Sequence, residues 1–431
     1  MAQPLTRVFP CSRHIFATFV CFIAFGCTDP QQRLTVINFW AMGREGEVVQ
    51  ALVPEFERRH PDIRVRVQQI PWSAAHEKLL TAYAGNAMPD IFQLGNTWIP
   101  EFVALDALSD LGPWLTRSTR LTKKDFFPGI METNTLKGIT YGIPWYVDTR
   151  VLFYRKDLLE QVGFSTPPRD WRSWMTAMQR IKALRDGKNY AILMPLNDWT
   201  PLVIFALQSK AQLLKDNDQY ANFNDARFHD AFTFYLELFR QGLAPAAGAS
   251  QPTNVYQEFA KGHISMYVSG PWNIGEFQRR LPESMQDLWS TAAMPGPHPQ
   301  RPGLSLAGGA SLVISRTSEH EDASWRLIEY LCEPEQQIEF HRLTGDLPAH
   351  QQAWQDRLIA DNPHVQAFWE QLQWVAAPPK IPEWERIATK ITQYSEAVVR
   401  MDMTTTEALR RLDAEINRIL EKRRWLMNKR Q

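Results

Sequence analysis

Apolar and polar positions along the chain fall into two alternating rhythms. The run LTVINF (Leu34 to Phe39) is largely apolar and of strand length, and a polar, glycine-containing stretch from Met42 to Glu47 follows it. This reads as a buried first strand and a loop. Val48, Leu52 and Phe56 then recur at helical spacing up to His60-Pro61, where proline disfavours helix in the residue before it. Val65, Val67 and Ile70 predict a second strand, His76 to Ala84 a helix, and Ile91 to Leu94 a third strand. Strand, helix, strand, helix, strand implies a parallel α/β sheet.

The segment Thr135 to Tyr154 breaks the rhythm with a turn at Lys137-Gly138 and two extended runs around Pro144, which suits a chain passing from one lobe to another. A second α/β set is expected beyond it. Trp174, Met178 and Ile181 share a helix face, Tyr190 to Met194 reads as a strand, and Asp230 to Arg240 as a helix. Phe259 to Met266 leads through Ser269-Gly270-Pro271 into a helix starting at Trp272, and Ser305 to Ser315 is a third extended run. An amphipathic helix, His320 to Leu331, comes next, and Trp384 to Trp425 is mostly helical.

Length supports two lobes, since 431 residues exceed one ordinary core of about 100 to 200 residues. The formal net charge is zero, with 47 residues of each sign. No basic stripe stands out, which argues against a nucleic-acid partner. Sixteen tryptophans raise the question of what so much flat aromatic surface contacts. At the N-terminus, Arg7, Arg13 and His14 precede an apolar run from Ile15 to Phe25. The run is shorter than the roughly 20 residues a bilayer needs and reads as an export signal, 1–26. Ala24-Phe25-Gly26 fits an ordinary signal-peptidase site and loosely resembles a lipoprotein box, from which Phe25 departs. Either reading makes Cys27 the first mature residue, acylated or a free thiol, ahead of a polar tether (27–32). Cys11 and Cys21 leave with the signal, so Cys332 lacks a partner if Cys27 is lipidated. A disulfide framework or cysteine metal site is excluded, and Cys332 reads as an inert core thiol.

Five blocks carry a resemblance. They are NFWAMGREGE (Asn38 to Glu47), PDIFQLGNTWIPEF (Pro89 to Phe102), YGIPWYVDTRVLFYRKDLLEQVG (Tyr141 to Gly163), FAKGHISMYVSGPWNI (Phe259 to Ile274) and LAGGASLVIS (Leu306 to Ser315). In this order the chain resembles the extracellular solute-binding proteins of carbohydrate ABC importers, the group that includes the maltose and trehalose receptors. The resemblance implies an α/β, two-lobed periplasmic-binding-protein fold (type II) with a multi-crossover hinge. Lobe 1 is expected at 33–145 plus 304–346 and lobe 2 at 150–302 plus 350–431. It implies a periplasmic receptor, without cofactor or metal, that binds a small sugar such as maltose or trehalose and delivers it as a monomer to membrane permease subunits.

A sugar site needs carboxylates and amides for hydroxyls, and rings for apolar C–H faces. By position in the blocks, the loop after the first strand nominates Trp40, Arg44, Glu45 and Glu47. The two acids also suit a helix N-terminus. The crossover nominates Tyr146 and Asp148, on one face of an extended segment, and the fourth block nominates Trp272. Gly308 and Gly309 would let backbone amides approach a ligand or form a bulge. The family commonly has Asp where this chain has Gly95, so Asn96 or Trp98 is expected to substitute. It commonly has Arg-Pro where this chain has Pro379-Lys380, which nominates Arg386 or Trp384. Trp199 is a further candidate in a loop beyond a strand, whereas Trp171, Trp325 and Trp354 read as core. Two other readings stay open. One is a carbohydrate hydrolase or lyase, against which the chain lacks HExxH, GxSxG, P-loop and GxGxxG patterns. The other is a receptor for a polyol phosphate or peptide, which Arg44 and Arg150 leave room for.

Overall fold

A computed structural model describes residues 34–184, 189–246 and 254–429. The expected export signal, the tether and Cys27 lie outside the described residues. Among these residues no helix is long and apolar enough to cross a membrane.

The first sheet has six strands, in the order Leu347–Pro348, Ile143–Asp148, Gly308–Ile314, Ile91–Gly95, Thr35–Met42, Ile63–Ile70. Thr35–Met42 pairs in parallel with Ile63–Ile70 along its whole length and with Ile91–Gly95 through Phe39 and Trp40. Every residue of Ile91–Gly95 is buried, as an apolar central strand covered on both faces requires. The parallel order expected from the first 95 residues is therefore present. The later strand Gly308–Ile314 runs antiparallel to both its neighbours, because the chain re-enters this sheet from the other lobe.

The second sheet has the order Trp289–Ala292, Val151–Arg155, Ile264–Ser269, Tyr190–Leu193. Three passages join the lobes: Asp148 to Val151, Ala292 to Ser305, and Pro348 towards the helix Gln366–Leu372. They are stitched together. The Ser305 hydroxyl accepts from the Arg150 backbone N–H at 3.2 Å and donates to the Arg150 carbonyl at 2.8 Å, and Ser305–Leu306 pairs with Val375–Ala376.

Packing follows the periodicities. Ile37, Phe39 and Ala41 are fully buried and meet Val49, Leu52 and Phe56 of the helix Gly43–Arg59. Phe92 and Leu94 face Leu79 and Phe102 in a separate cluster. In the second lobe Trp174, Phe205 and Tyr235 pack with Ile387, Leu412 and Ile416 from the C-terminal helices. Each such side chain contributes about 1.5–3 kcal/mol by leaving water. Cys332 is fully buried, and burial pushes its thiol up, beyond the ordinary thiol range.

Two expectations need correction. The expected loop Met42 to Glu47 is the start of a helix: the strand runs to Met42 and the helix begins at Gly43. Gly43 has φ 49°, a left-handed turn that glycine makes without steric cost, and it redirects the chain within one residue. The first sheet also extends beyond 145 and 346, to Asp148 and to Leu347–Pro348. A two-residue edge strand held by pairing to Tyr146 and Val147 leaves no periodic signal.

Candidate functional site

A cavity of about 720 Å3 opens between the two sheets, within the range of small-molecule sites. Its first wall comes from segments at the carboxyl ends of the parallel strands, where open α/β sheets bind ligands. Glu45 projects from the first turn of its helix, Trp72 from the start of Trp72–Ala84, and Asn96, Thr97 and Trp98 from the turn after Ile91–Gly95. Tyr146, Asp148, Gly308, Gly309 and Asp346 complete it. The second wall comprises Asp198, Trp199 and Thr200 at the start of Thr200–Gln208, and Trp272, Glu276 and Arg279 on the helix Trp272–Arg280. Arg150 joins them at the hinge, with Glu385 in the first turn of Trp384–Val399.

The first wall is held by a buried hydrogen-bond chain. The Met42 backbone N–H donates to Gln93 Oε1 at 2.6 Å, and Gln93 Nε2 donates to the Tyr146 hydroxyl oxygen at 3.0 Å. That hydroxyl in turn donates to Glu45 Oε1 at 3.0 Å. From the other side the Trp72 indole N–H lies 3.3 Å from both Glu45 oxygens. Burial raises the pKa of Glu45, an effect partly offset by its backbone hydrogen bond and by Tyr146 and Trp72. Asp346 is pushed well above the usual carboxylate range by burial and by the negative charges of Glu45 and Asp148. Glu385 is also raised by burial, and one of its oxygens is buried without a hydrogen-bond partner.

Aromatic rings line both walls. Trp72 and Trp98 meet edge to face at 5.8 Å, and His76 packs on Trp98 at 5.0 Å. Opposite them, Trp199 stands on the buried Trp384 at 5.4 Å. Trp272, 37% exposed, carries the Arg150 guanidinium 4.7 Å from its ring centre. Arg150 is also paired with Asp148, as Arg279 is with Glu276. The lining holds six carboxylates against three guanidinium groups, two of them paired within the lining. Rings and acceptors from two lobes enclosing one space can hold a polyhydroxylated molecule on both its apolar and polar faces.

The family model described as bacterial extracellular solute-binding protein matches residues 41–338. The chain belongs to that family. It is 47% identical to the sugar-binding protein MalE from the phytopathogen Xanthomonas citri, with a TM-score of 0.88 over 91% of this chain and 99% of that one. It is 23% identical to the diacetylchitobiose-binding protein DasA of Streptomyces coelicolor, over 89% of each chain. Identity is also 23% to the maltotriose-binding protein of Pyrococcus abyssi, over 79% of this chain and 71% of that one. The two-lobed fold expected from the sequence is thus the fold of this solute-binding family.

The cleft gathers ten of the residues nominated from sequence: Arg44, Glu45, Asn96, Trp98, Tyr146, Asp148, Trp199, Trp272, Gly308 and Gly309. Trp40, Glu47 and Arg386 fall outside its lining. Trp40 sits within the strand, packed on the first-lobe core and under Lys78 at 4.9 Å. Glu47 is exposed, as is Arg386, because a helix turns successive residues to different faces and it is Glu45 and Glu385 that turn inward. At Gly95 a Cβ would lie 3.3 Å from the Trp98 ring, which would have to shift by a few tenths of an ångström to admit it. Gly309, with φ 124°, is required by the neighbouring strand, since a Cβ would lie 2.3 Å from the Tyr146 carbonyl.

Sequence reasoning missed Trp72, Asp198, Glu276, Arg279, Asp346 and Glu385. Trp72 follows Pro71 at a helix start, a signal comparable to Trp272 after Pro271. Asp346 had none, lying between a helix and a two-residue strand. Lys380 donates to the Glu132 and Thr135 carbonyls at 3.1 and 2.9 Å.

Proposed function

We propose that the protein is the receptor of an ABC-type importer for a small neutral sugar, a disaccharide such as maltose or trehalose, which it binds without turnover and delivers to membrane permease subunits. The observation that carries this is the pairing of tryptophans and carboxylates on both walls of one cleft: Trp72 and Trp98 with Glu45 and Asp346, facing Trp199 and Trp272 with Asp198. Sugar bridging the walls stabilises a closed form through its differential affinity for that form, and closure presents the surface that docks on the permease. The lipid-anchored periplasmic form, with Cys27 as first mature residue, belongs to the same proposal. Mass spectrometry of the exported chain tests it by a diacylglyceryl mass on Cys27.

The competing reading, a receptor for a polyol phosphate, fits the charge balance poorly. Arg150 and Arg279 already have carboxylate partners, so Arg44 alone is left to a phosphate, against six carboxylates in the lining. The deciding experiment is a thermal-shift screen of the mature protein against maltose, trehalose, sucrose and phosphorylated polyols. A ligand at 100 times its Kd adds about 2.7 kcal/mol, a rise of a few degrees for a protein of this size. A rise with one or two neutral sugars, recovered unaltered, is expected. A rise with phosphates alone replaces this proposal.

A further inference from the structure

Hydrogen-bond direction along the first wall has a chemical consequence. Because the Met42 N–H donates to Gln93 Oε1, the Gln93 amide must present its NH2 to Tyr146. The Tyr146 oxygen therefore accepts, and its single proton goes to Glu45. Tyr146 is only 6% exposed, so its hydroxyl is spent at both ends. Two other nearby donors are committed as well. The Trp72 N–H goes to Glu45 and the Thr344 hydroxyl to the Phe340 carbonyl at 2.8 Å, while Arg44, an exposed side chain, gives two of its five N–H groups to the Leu343 carbonyl at 3.0 and 3.2 Å and keeps the others. What this corner offers a ligand is mainly lone pairs, on Glu45 and on Asp346, which is 8% exposed, beside the face of Trp72.

We propose that Glu45, Asp346 and Trp72 form an acceptor-dominated subsite that takes an unsubstituted, hydroxyl-bearing end of the sugar, with Gln93 and Tyr146 as positioning residues behind it. The inference rests on the sugar-receptor reading and specifies one end of the ligand. Two or three free hydroxyls supply the donors that the carboxylates lack, while the ring's C–H face lies on Trp72. An end carrying a carboxylate or phosphate brings acceptors and negative charge to buried acceptors, so it finds few donors there and sets like charges together. Gly43 belongs to the same construction, since a Cβ there would lie 2.6 Å from Trp72 Cδ1 and 2.9 Å from Glu45 Oε2.

The test is calorimetric titration of the mature protein with trehalose and maltose, and with the derivatives of each oxidised to carboxylates at both C6 positions. The neutral sugar is expected to bind at least a hundredfold more tightly than its dicarboxylate. Asp346→Asn, which keeps the shape and supplies a donor, should narrow that ratio at least tenfold. A dicarboxylate that binds as well as its parent overturns the subsite and leaves the receptor reading standing, as does an unchanged ratio in Asp346→Asn. No binding by any of the four overturns the receptor reading and this inference with it.

The positioning role has a separate readout in Tyr146→Phe, which keeps the ring and removes only the proton given to Glu45. The charged and titratable groups facing Glu45 are Arg44 on its own helix, Tyr146 and Asp148 on the crossover strand, and Asp346. The hydrogen bond from Tyr146 lowers the pKa of Glu45, so its loss raises it further. The affinity for the neutral sugar, which falls as acid protonates Glu45, should then begin to fall at a higher pH in the variant. Affinity reduced equally at every pH assigns Tyr146 a merely structural role and overturns this part.

Discussion

The two walls of the cleft are built from the same residue types by different means. On the first, Glu45 and Asp346 are buried, and Glu45 is fixed by two donors. On the second, Glu276 pairs with Arg279 and Arg280 on a helix surface, with both arginine side chains more than half exposed. Its own burial raises its pKa, but the two arginines outweigh this and hold it below the usual range. The first wall is thus already desolvated and aligned before ligand arrives, so little further reorganisation accompanies binding. The second can rearrange at small cost, because exposed ion pairs contribute only about 0–1 kcal/mol. On the proposed reading, the fixed wall is the one to read the ligand and the adaptable wall the one to close on it.

The largest effect is expected where the fixed wall is most tightly constrained. Gly43→Val would strain a left-handed backbone position and drive a side chain into Trp72 and Glu45 together. Sugar affinity should fall at least a hundredfold, about 2.7 kcal/mol, while the far-ultraviolet circular dichroism stays native. An unchanged Kd by calorimetry would show that the first wall does not read the ligand. On the adaptable wall, Trp272→Ala should weaken binding about tenfold, about 1.4 kcal/mol, through loss of the ring and of its packing on Arg150. A loss as large as that of Gly43→Val would erase the contrast between the walls.

Acid separates the walls next. The raised carboxyls of the first wall stay protonated at a pH where the unfolded chain has begun to ionise, above about 3.8 for Asp346 and 4.5 for Glu45. The folded state then binds more protons, so ligand-free stability should fall as pH rises from those values through the raised folded ones. Sugar affinity should climb over the same interval as acceptors become charged. Melting temperatures with and without sugar, recorded across that range, should therefore draw apart. Parallel curves would place the titrating groups away from the ligand.

The contrast between the walls also explains what the sequence could disclose. Trp272 and Asp148 stand in the blocks that carry the family resemblance, and both line the cleft. The alternation around Val65 and the helical spacing of Val48, Leu52 and Phe56 likewise predict elements found in the fold. Gln93 and Asp346 belong to the fixed wall, and neither is marked. A buried glutamine inside LTVINF-like apolar surroundings reads as a strand residue, and its role arises only when Met42 and Tyr146 come within hydrogen-bond reach from distant parts of the chain. Glu385 was displaced by its neighbour Arg386 because the phase of a helix, not its position in a block, decides which residue turns inward.

The smallest effect should come from the exposed ion pairs of the adaptable wall. Glu276→Gln removes the charge that Arg279 and Arg280 share, but both guanidinium groups remain solvated and lose little. Sugar affinity should change by less than threefold, about 0.6 kcal/mol, and the change should shrink further in 0.5 M salt, where interactions between exposed charges are screened. A tenfold loss that persists in high salt would mean that Glu276 makes a directed contact to the sugar. The second wall would then be as fixed as the first, and discrimination would have to be shared between the lobes rather than concentrated around Glu45 and Asp346.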